Sequence, residues 1–452
     1  MKNRLLHFMY HFTARPALCL LCLLMATGFD AGRAPRSLNI NHESSLRGFL
    51  AEKNGTLSKG LFPPEAIACR RFEHNRQLAE IGAADKGRLL LLDLFDDAQY
   101  SAVIDNVTVS FDGVRGITAK IVDDETAYCF ISLSDAGLSM SIDIPRRDEQ
   151  YLVSTKDGVS YLAKIRLSDM RKYDLSCTDA DEHHHDDHAD SGHYDAPPGA
   201  LEADADDCTF PPDTLTDAVT INLLFVYTEA AEQYAAAHYT SIDNVIDQAM
   251  LRSNTVMANS LTNVTFTLAY KHKTDYTEVD SDADLERITD PGDGYMDEVH
   301  ALRKEYRADL VVFMPLVDFT GGVAWLLNAY IPGNGRPTYG FALSRVQQSS
   351  WTYTVVHEIG HNMGCGHHWR QQIAPGPGLF DYSSGYRGQN AAAAWYSTVM
   401  TYEAGSNFPD GNTAPRIAFF SDPDIVHDGV VIGRADSANN ALTIRQSKHA
   451  VA

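Results

Sequence analysis

The chemistry of this chain is concentrated in the run HEIGHNMGCGHH, residues 357–368, which holds His357, Glu358, His361 and His367. His357 and His361 are four positions apart, so on a helix both imidazoles leave one face and can reach a single ion. Glycine tolerates positive φ at a helix end, so Gly364 permits a sharp turn that returns His367 to the same point. Three nitrogen donors suit Zn²⁺, which takes about four ligands in a tetrahedron and in catalytic sites keeps one place for water. Glu358 lies one position round the helix from the ligands, where its carboxylate meets that water rather than the metal. Such a set does hydrolysis: the metal acidifies water and polarises a carbonyl, and the carboxylate carries a proton from water to the leaving group. His368 offers a second nitrogen beside His367. A bare HExxH arises by chance far more often than this extended form.

The elements that must position these residues begin near Thr220. Thr220–Thr228 (TINLLFVYT), Val264–Tyr270 and Ala308–Pro315 read as strands, with shorter ones at Gly321–Leu327 and Thr338–Ser344. Ile242 to Leu261 has helical spacing, with an apolar stripe of Ile242, Val245, Ile246, Met250 and Val256. Further helices are expected over Tyr295–Tyr306 and over Thr352–Met363, the latter carrying the first two histidines. The alternation predicts an α/β (α+β) layer domain with a mixed, mostly parallel sheet and an active-site helix.

On these residues the chain resembles the metzincin zinc proteases, whose signature HExxHxxGxxH is followed by a Met-turn. The segment Ser397–Tyr402 (STVMTY) follows the third histidine, and the resemblance implies that Met400 is the Met-turn residue beneath the zinc. It also implies that Tyr402 is the tyrosine that approaches zinc or the transition state in astacin-like and serralysin-like members; a packed core tyrosine is the alternative. The resemblance covers about residues 214–445 and is closest to bacterial reprolysin-like enzymes, including the peptidyl-Asp metalloendopeptidases. Phe319–Leu327 (FTGGVAWLL) is similar to the edge strand on which an extended peptide adds, which implies substrate contacts at Gly321, Gly322, Val323 and Ala324. Ile417–Ile425 resembles the segment after the Met-turn. His368 departs from the subfamily, which usually has Asp there. The implied activity is zinc-dependent hydrolysis of protein or peptide substrates, beside acidic residues in the nearest subfamily. Arg416 or Arg445 could pair with a substrate carboxylate, though each reads first as an ordinary surface arginine. The rival is a secreted zinc-binding or adhesive protein on an inactive protease fold; the presence of Glu358 argues against it.

The remaining sequence describes how such an enzyme would be delivered and restrained. Lys2, Arg4 and Arg15 precede the apolar run Ala17–Ala26, and small residues follow near Gly28, Ala31 and Ala34. Residues 1–34 therefore read as an export signal, too short to anchor in a membrane, and the protein is expected to be secreted. Residues 35–173 alternate apolar and polar positions between turn signals such as Asp112–Gly113 and Asp157–Gly158, which predicts an antiparallel β-rich region. Without a catalytic constellation of its own, it reads as a pro-domain, an intramolecular inhibitor of a zymogen. Residues 174–213 form an acidic, His-rich linker, with the cluster His183–His188 and His193 as a possible metal-binding tract. From Asp174 to Asp217 there are fourteen Asp or Glu and no Lys or Arg, so much of the formal charge of −23 belongs to the linker. That charge argues against nucleic-acid or anionic-membrane partners. Residues 214–452 complete the chain as the catalytic domain. With Cys19 and Cys22 lost in the signal, Cys69, Cys129, Cys177, Cys208 and Cys365 remain, an odd number. A Cys177–Cys208 disulfide and a thiolate on zinc are both open, and Cys365 reads as a small buried filler.

Overall fold

The alternating runs of the N-terminal half pair into one nine-stranded sheet. The computed structural model describes residues 37–39, 61–171, 174–176, 215–327 and 339–452. The expected export signal, the His183–His193 cluster, Cys177 and Cys208 lie outside the described residues. Strands β1 (Ser37–Asn39), β2 (Ala68–Phe72), β3 (Leu89–Phe95), β4 (Ala98–Val109) and β5 (Arg115–Ile121) are followed by β6 (Tyr128–Ser134) and β7 (Gly137–Ile144). The sheet is completed by β8 (Glu149–Lys156) and β9 (Val159–Ile165), and the short helix α1 (Leu167–Met170) leaves it. From β3 to β9 each strand lies antiparallel to the next; β2 adds antiparallel to β9, and β1 parallel to β3. One face holds a private core that includes Leu90, Leu92, Leu94, Ile117, Ile131 and Ile142. The period of two in β3 is the direct cause, because alternate leucines point to that core.

The second layer system starts at β10 (Val219–Tyr227), then α2 (Glu229–His238), α3 (Ile242–Asn259), β11 (Val264–Lys273), α4 (Ser281–Thr289) and α5 (Glu298–Glu305). It continues through β12 (Leu310–Met314), β13 (Gly322–Ala324), β14 (Phe341–Ser344), α6 (Val346–Ser349) and α7 (Thr354–Asn362). Two small hairpins, β15 (Arg387–Gln389) with β16 (Trp395–Ser397) and β17 (Asp422–His427) with β18 (Val430–Ile432), precede α8 (Asn440–Val451). The five-stranded sheet has the order β11-β10-β12-β14-β13. Its neighbours are parallel except β13, which runs antiparallel to β14 at the edge. Every residue of β12 is buried, as expected for a parallel strand covered on both faces. The mixed, mostly parallel sheet and the active-site helix agree with the sequence expectation. Helices α2, α4 and α8 were not legible there. The buried face of α2 is only Ala231 and Ala235, which leaves almost no apolar period. Among the described residues, no helix is long and apolar enough to cross a membrane.

Helix α3 joins the two sheets. Its expected apolar stripe enters a core with Ile221, Leu223 and Phe225 of β10. Its other face is polar yet also buried, because Asn244, Gln248 and Arg252 recur at i, i+4, i+8 and meet the antiparallel sheet. Gln248 Nε2 donates to the carbonyls of Phe130 (3.1 Å) and Ser139 (3.3 Å), and Asn244 Nδ2 donates to Ser132 O (3.1 Å). Arg252, 1% exposed, donates to Asp143 Oδ2 (2.8 Å), Ser141 Oγ (2.7 Å) and Ser350 O (3.0 Å), with its guanidinium 4.4 Å from the Phe130 ring centroid. Removing one side of a buried, hydrogen-bonded ion pair strands the other charge. Arg252→Ala is therefore expected to cost about 3–5 kcal/mol, read from the midpoint of a urea unfolding curve. A loss below about 1 kcal/mol would mean that the two sheets do not depend on this contact.

Candidate metal centre and cleft

Helix α7 is buried along its whole length, and it sets His357 and His361 one turn apart with Glu358 next to His357. The helix closes where Gly364 N bonds to His361 O (2.9 Å) and Cys365 N to Gly360 O (2.9 Å). Gly364 has φ +88°, the left-handed conformation that the turn toward His367 requires. The loop beyond it is pinned by Gly366 N to Ser383 O (2.8 Å) and Gly385 N to Gly366 O (3.0 Å). This brings the third histidine home: His367 Nε2 lies 3.0 Å from His357 Nε2 and 3.1 Å from His361 Nε2. Among the described residues, these three are the group of His, Cys and acidic side chains close enough to hold one ion.

The far nitrogen of each ring meets a backbone carbonyl. His357 Nδ1 bonds to Val399 O (2.8 Å), His361 Nδ1 to Cys365 O (2.9 Å) and His367 Nδ1 to Ala374 O (2.8 Å). Each carbonyl accepts, so each Nδ1 carries the proton and each Nε2 presents a lone pair. Burial and the neighbouring imidazoles push His357 far below the ordinary histidine range, and burial lowers His367 to about 4. Three neutral rings that aim lone pairs at one another from about 3 Å cannot hydrogen-bond among themselves. A cation at their focus satisfies all three, and an all-imidazole set suits zinc or a related transition metal.

Glu358 is fully buried beside this focus. The edge strand β13 reaches it: a Cβ on Gly322 would stand 2.5 Å from Glu358 Oε1. Gly321, Gly322, Val323 and Ala324 thus line the edge next to the candidate base, with Gly322 paired to Ser344 and Ala324 to Ala342. Tyr402 is also fully buried, its ring centroid 4.8 Å from that of His367. Met400 packs under α7, where a Cβ on Gly360 would meet its Sδ at 2.7 Å. The turn around Met400 supplies the Val399 carbonyl to His357 and is itself tied by Val399 N to Phe419 O (2.9 Å). The carbonyls of Val399, Cys365 and Ala374 were invisible in the sequence, since any residue can supply a carbonyl.

Other expectations are corrected or refined here. His368 turns away from the triad; its Nδ1 accepts from Arg370 N (3.0 Å) and its ring stacks on Trp369. Cys365 is buried with its thiol toward Asn440 O (3.6 Å), consistent with a filler. Arg416 is not a surface arginine, because its side chain is only 3% exposed and its Nε donates to Thr401 O (3.1 Å). Arg445 is largely covered and is engaged by Asp422 Oδ2 (3.0 Å). The start of the linker is docked, with Asp174 and Leu175 half-buried and Ser176 exposed. Gln348 Nε2 donates to Asp174 Oδ1 (3.0 Å), and Gly321 N donates to Ser176 O (3.0 Å).

Residues 218–413, which contain the triad, Glu358 and the Met400 turn, match the profile of Metallo-peptidase family M12. These residues are similar to members of that family. Among curated relatives of the M12 segment, the chain is 29% identical over 234 residues to a peptidyl-Asp metalloendopeptidase of Stenotrophomonas maltophilia, covering 52% of each chain. It is 29% identical over 239 residues to a peptidyl-Asp metalloendopeptidase of Xanthomonas campestris, covering 52% of this chain and 51% of that one. The matched M12 region thus spans about half the length of these relatives. Among solved structures, metalloproteinase-II from Bacteroides fragilis overlaps with a TM-score of 0.40 at 13% identity, over 64% of this chain and 83% of that one.

The M12 loop that delivers His367 has no spare volume. A Cβ on Gly366 would collide with backbone atoms of Pro377, Gly378 and Ser383. Gly366→Ala is expected to cost about 1–3 kcal/mol in denaturant unfolding and to lower the metal retained after dialysis, read by elemental analysis. Unchanged stability and metal content would show that the loop relaxes freely.

Proposed function

We propose that this chain is a zinc-dependent metalloendopeptidase, exported and made as a zymogen, that cuts peptide bonds beside acidic residues. The observation that carries this is the convergence of three imidazole Nε2 atoms beside a buried glutamate that lies against the edge strand of a sheet. His357, His361 and His367 hold the metal, and zinc there would supply Lewis acidity to a water and to the scissile carbonyl. Glu358 accepts a proton from the attacking water and passes it to the departing amine. Tyr402, lying against His367, donates to the oxygen on which charge develops. Met400 supports the floor of the site against Gly360. The substrate backbone extends along Gly321, Gly322, Val323 and Ala324, whose main-chain groups recognise it independently of sequence.

Residues 1–34 serve export, residues 35–173 act as the pro-domain that restrains the catalytic domain 214–452, and the linker 174–213 is where release cleavage falls. The relatives' name, peptidyl-Asp metalloendopeptidase, supports the acidic preference.

The test is cleavage of a mixed peptide pool after limited proteolysis of the linker, with Glu358→Ala in parallel. Wild type is expected to cut and the variant to lose at least about 10²-fold in rate, with one zinc retained in both. Equal cleavage by both would remove Glu358 as the base. Zinc binding without cleavage by either would favour a zinc-binding or adhesive protein.

A further inference from the structure

We infer that the cleft contains a carboxylate-binding subsite built from Arg416, Arg345 and Gln348, and that the chain's own Asp174 fills it. The inference rests on the peptidase proposal above and locates its acidic preference. A guanidinium buried as deeply as that of Arg416 needs an anion, because an uncompensated charge out of water is costly. Thr401, which receives its Nε–H, sits between Met400 and Tyr402, so Arg416 is fixed to the loop that floors the metal centre. The anion that faces it is Asp174, with Oδ2 3.8 Å from the Arg416 guanidinium. Around Asp174 stand Arg416, Glu403, Arg345 and Arg171. Glu403 is already engaged, by Arg171 (3.1 Å) and by the backbone N of Arg416 (2.9 Å). Burial raises the Asp174 carboxyl to about 6, and Arg416 opposes the rise.

The backbone around Asp174 is held as a peptide would be held. Gln348 accepts from Leu175 N at Oε1 (3.1 Å) and donates from Nε2 to Leu175 O (3.3 Å). Gln348 is itself oriented by Arg345 Nε (2.6 Å) and Thr354 Oγ1 (2.7 Å), the latter on the first residue of α7. Gly321 N donates to Ser176 O, and a Cβ on Gly321 would collide with Leu175 O. A glycine that admits another backbone this closely, an amide that reads both main-chain groups of one residue, and an arginine that takes a carboxylate form one recognition unit. Main-chain pairing at a sheet edge does not depend on which chain provides it. Asp174–Ser176 therefore occupies groups that an incoming Asp-containing peptide would use, and the strap and the substrate compete.

The test uses the full chain as wild type, Asp174→Ala, Asp174→Ala/Arg416→Gln and Asp174→Ala/Arg416→Lys. Amide exchange at Gly321 is expected to rise at least tenfold in Asp174→Ala; an unchanged rate would overturn the strap. Two short peptides identical except for Asp or Asn are then offered. Asp174→Ala is expected to cut the Asp peptide at least tenfold faster, Arg416→Gln to bring the ratio near one, and Arg416→Lys to retain part of it. No preference in Asp174→Ala, or a ratio indifferent to Arg416, would overturn the subsite. If neither peptide is cut, the pro-domain still restrains the full chain, the peptidase proposal is judged by the linker-cleaved assay above, and calorimetric affinities for the same pair decide the subsite. Tenfold tighter binding of the Asp peptide sustains it, and equal binding removes it.

Discussion

Three imidazoles aim lone pairs at one buried point, and most of the C-terminal half can be understood as the apparatus that keeps them there. Neutral histidines at this separation gain nothing from one another, so the arrangement persists only where each ring is gripped from behind and a cation is accommodated in front. The grips are three backbone carbonyls from three different segments: the turn at Val399, the helix end at Cys365 and the loop at Ala374. Each segment must be rigid, because a ring rotated by a small angle no longer points at the shared focus. The hydrogen bonds that tie Val399 to Phe419 and Gly366 to Ser383 and Gly385 supply that rigidity.

Close approach is the second constraint, and it explains why glycines gather around α7. Gly360 admits Met400 from below, and Gly322 admits Glu358 at the edge strand. Both bring rigid elements closer than any side chain would allow, which lets a metal centre, a base and a strand edge share one small volume. The same logic recurs at Gly321, where the approaching backbone belongs to the strap at Leu175.

The antiparallel sheet is bound to this machinery by polar contacts beside apolar ones, since Phe130 joins the core of α3 and Leu152 packs with Trp351. Helix α3 spends its hydrophobic stripe on β10 and its Asn244–Gln248–Arg252 face on the carbonyls and hydroxyls of the first sheet. A polar interface of this kind is specific in register and costly to disrupt partially, yet it loses less than an apolar one when the surfaces are exposed to water. The Asp174 carboxylate, set among arginines, is held by polar contact in the same way.

What the sequence determined was whatever local geometry encodes. The i, i+4 spacing of His357 and His361, the turn at Gly364, the period-two leucines of β3 and the apolar stripe of α3 each follow from the pitch of one element, so they were legible in a string of residues. What only the tertiary structure decided was whatever depends on segments distant in sequence. Carbonyl grips on the histidines carry no side-chain signature. The burial of the polar face of α3 left no local signal, because its partners lie more than a hundred residues away, as in the Gln248–Phe130 contact. Arg416 read as a surface residue for the same reason: the fold that buries it, and the Asp174 that meets it, come together through chain topology rather than through spacing.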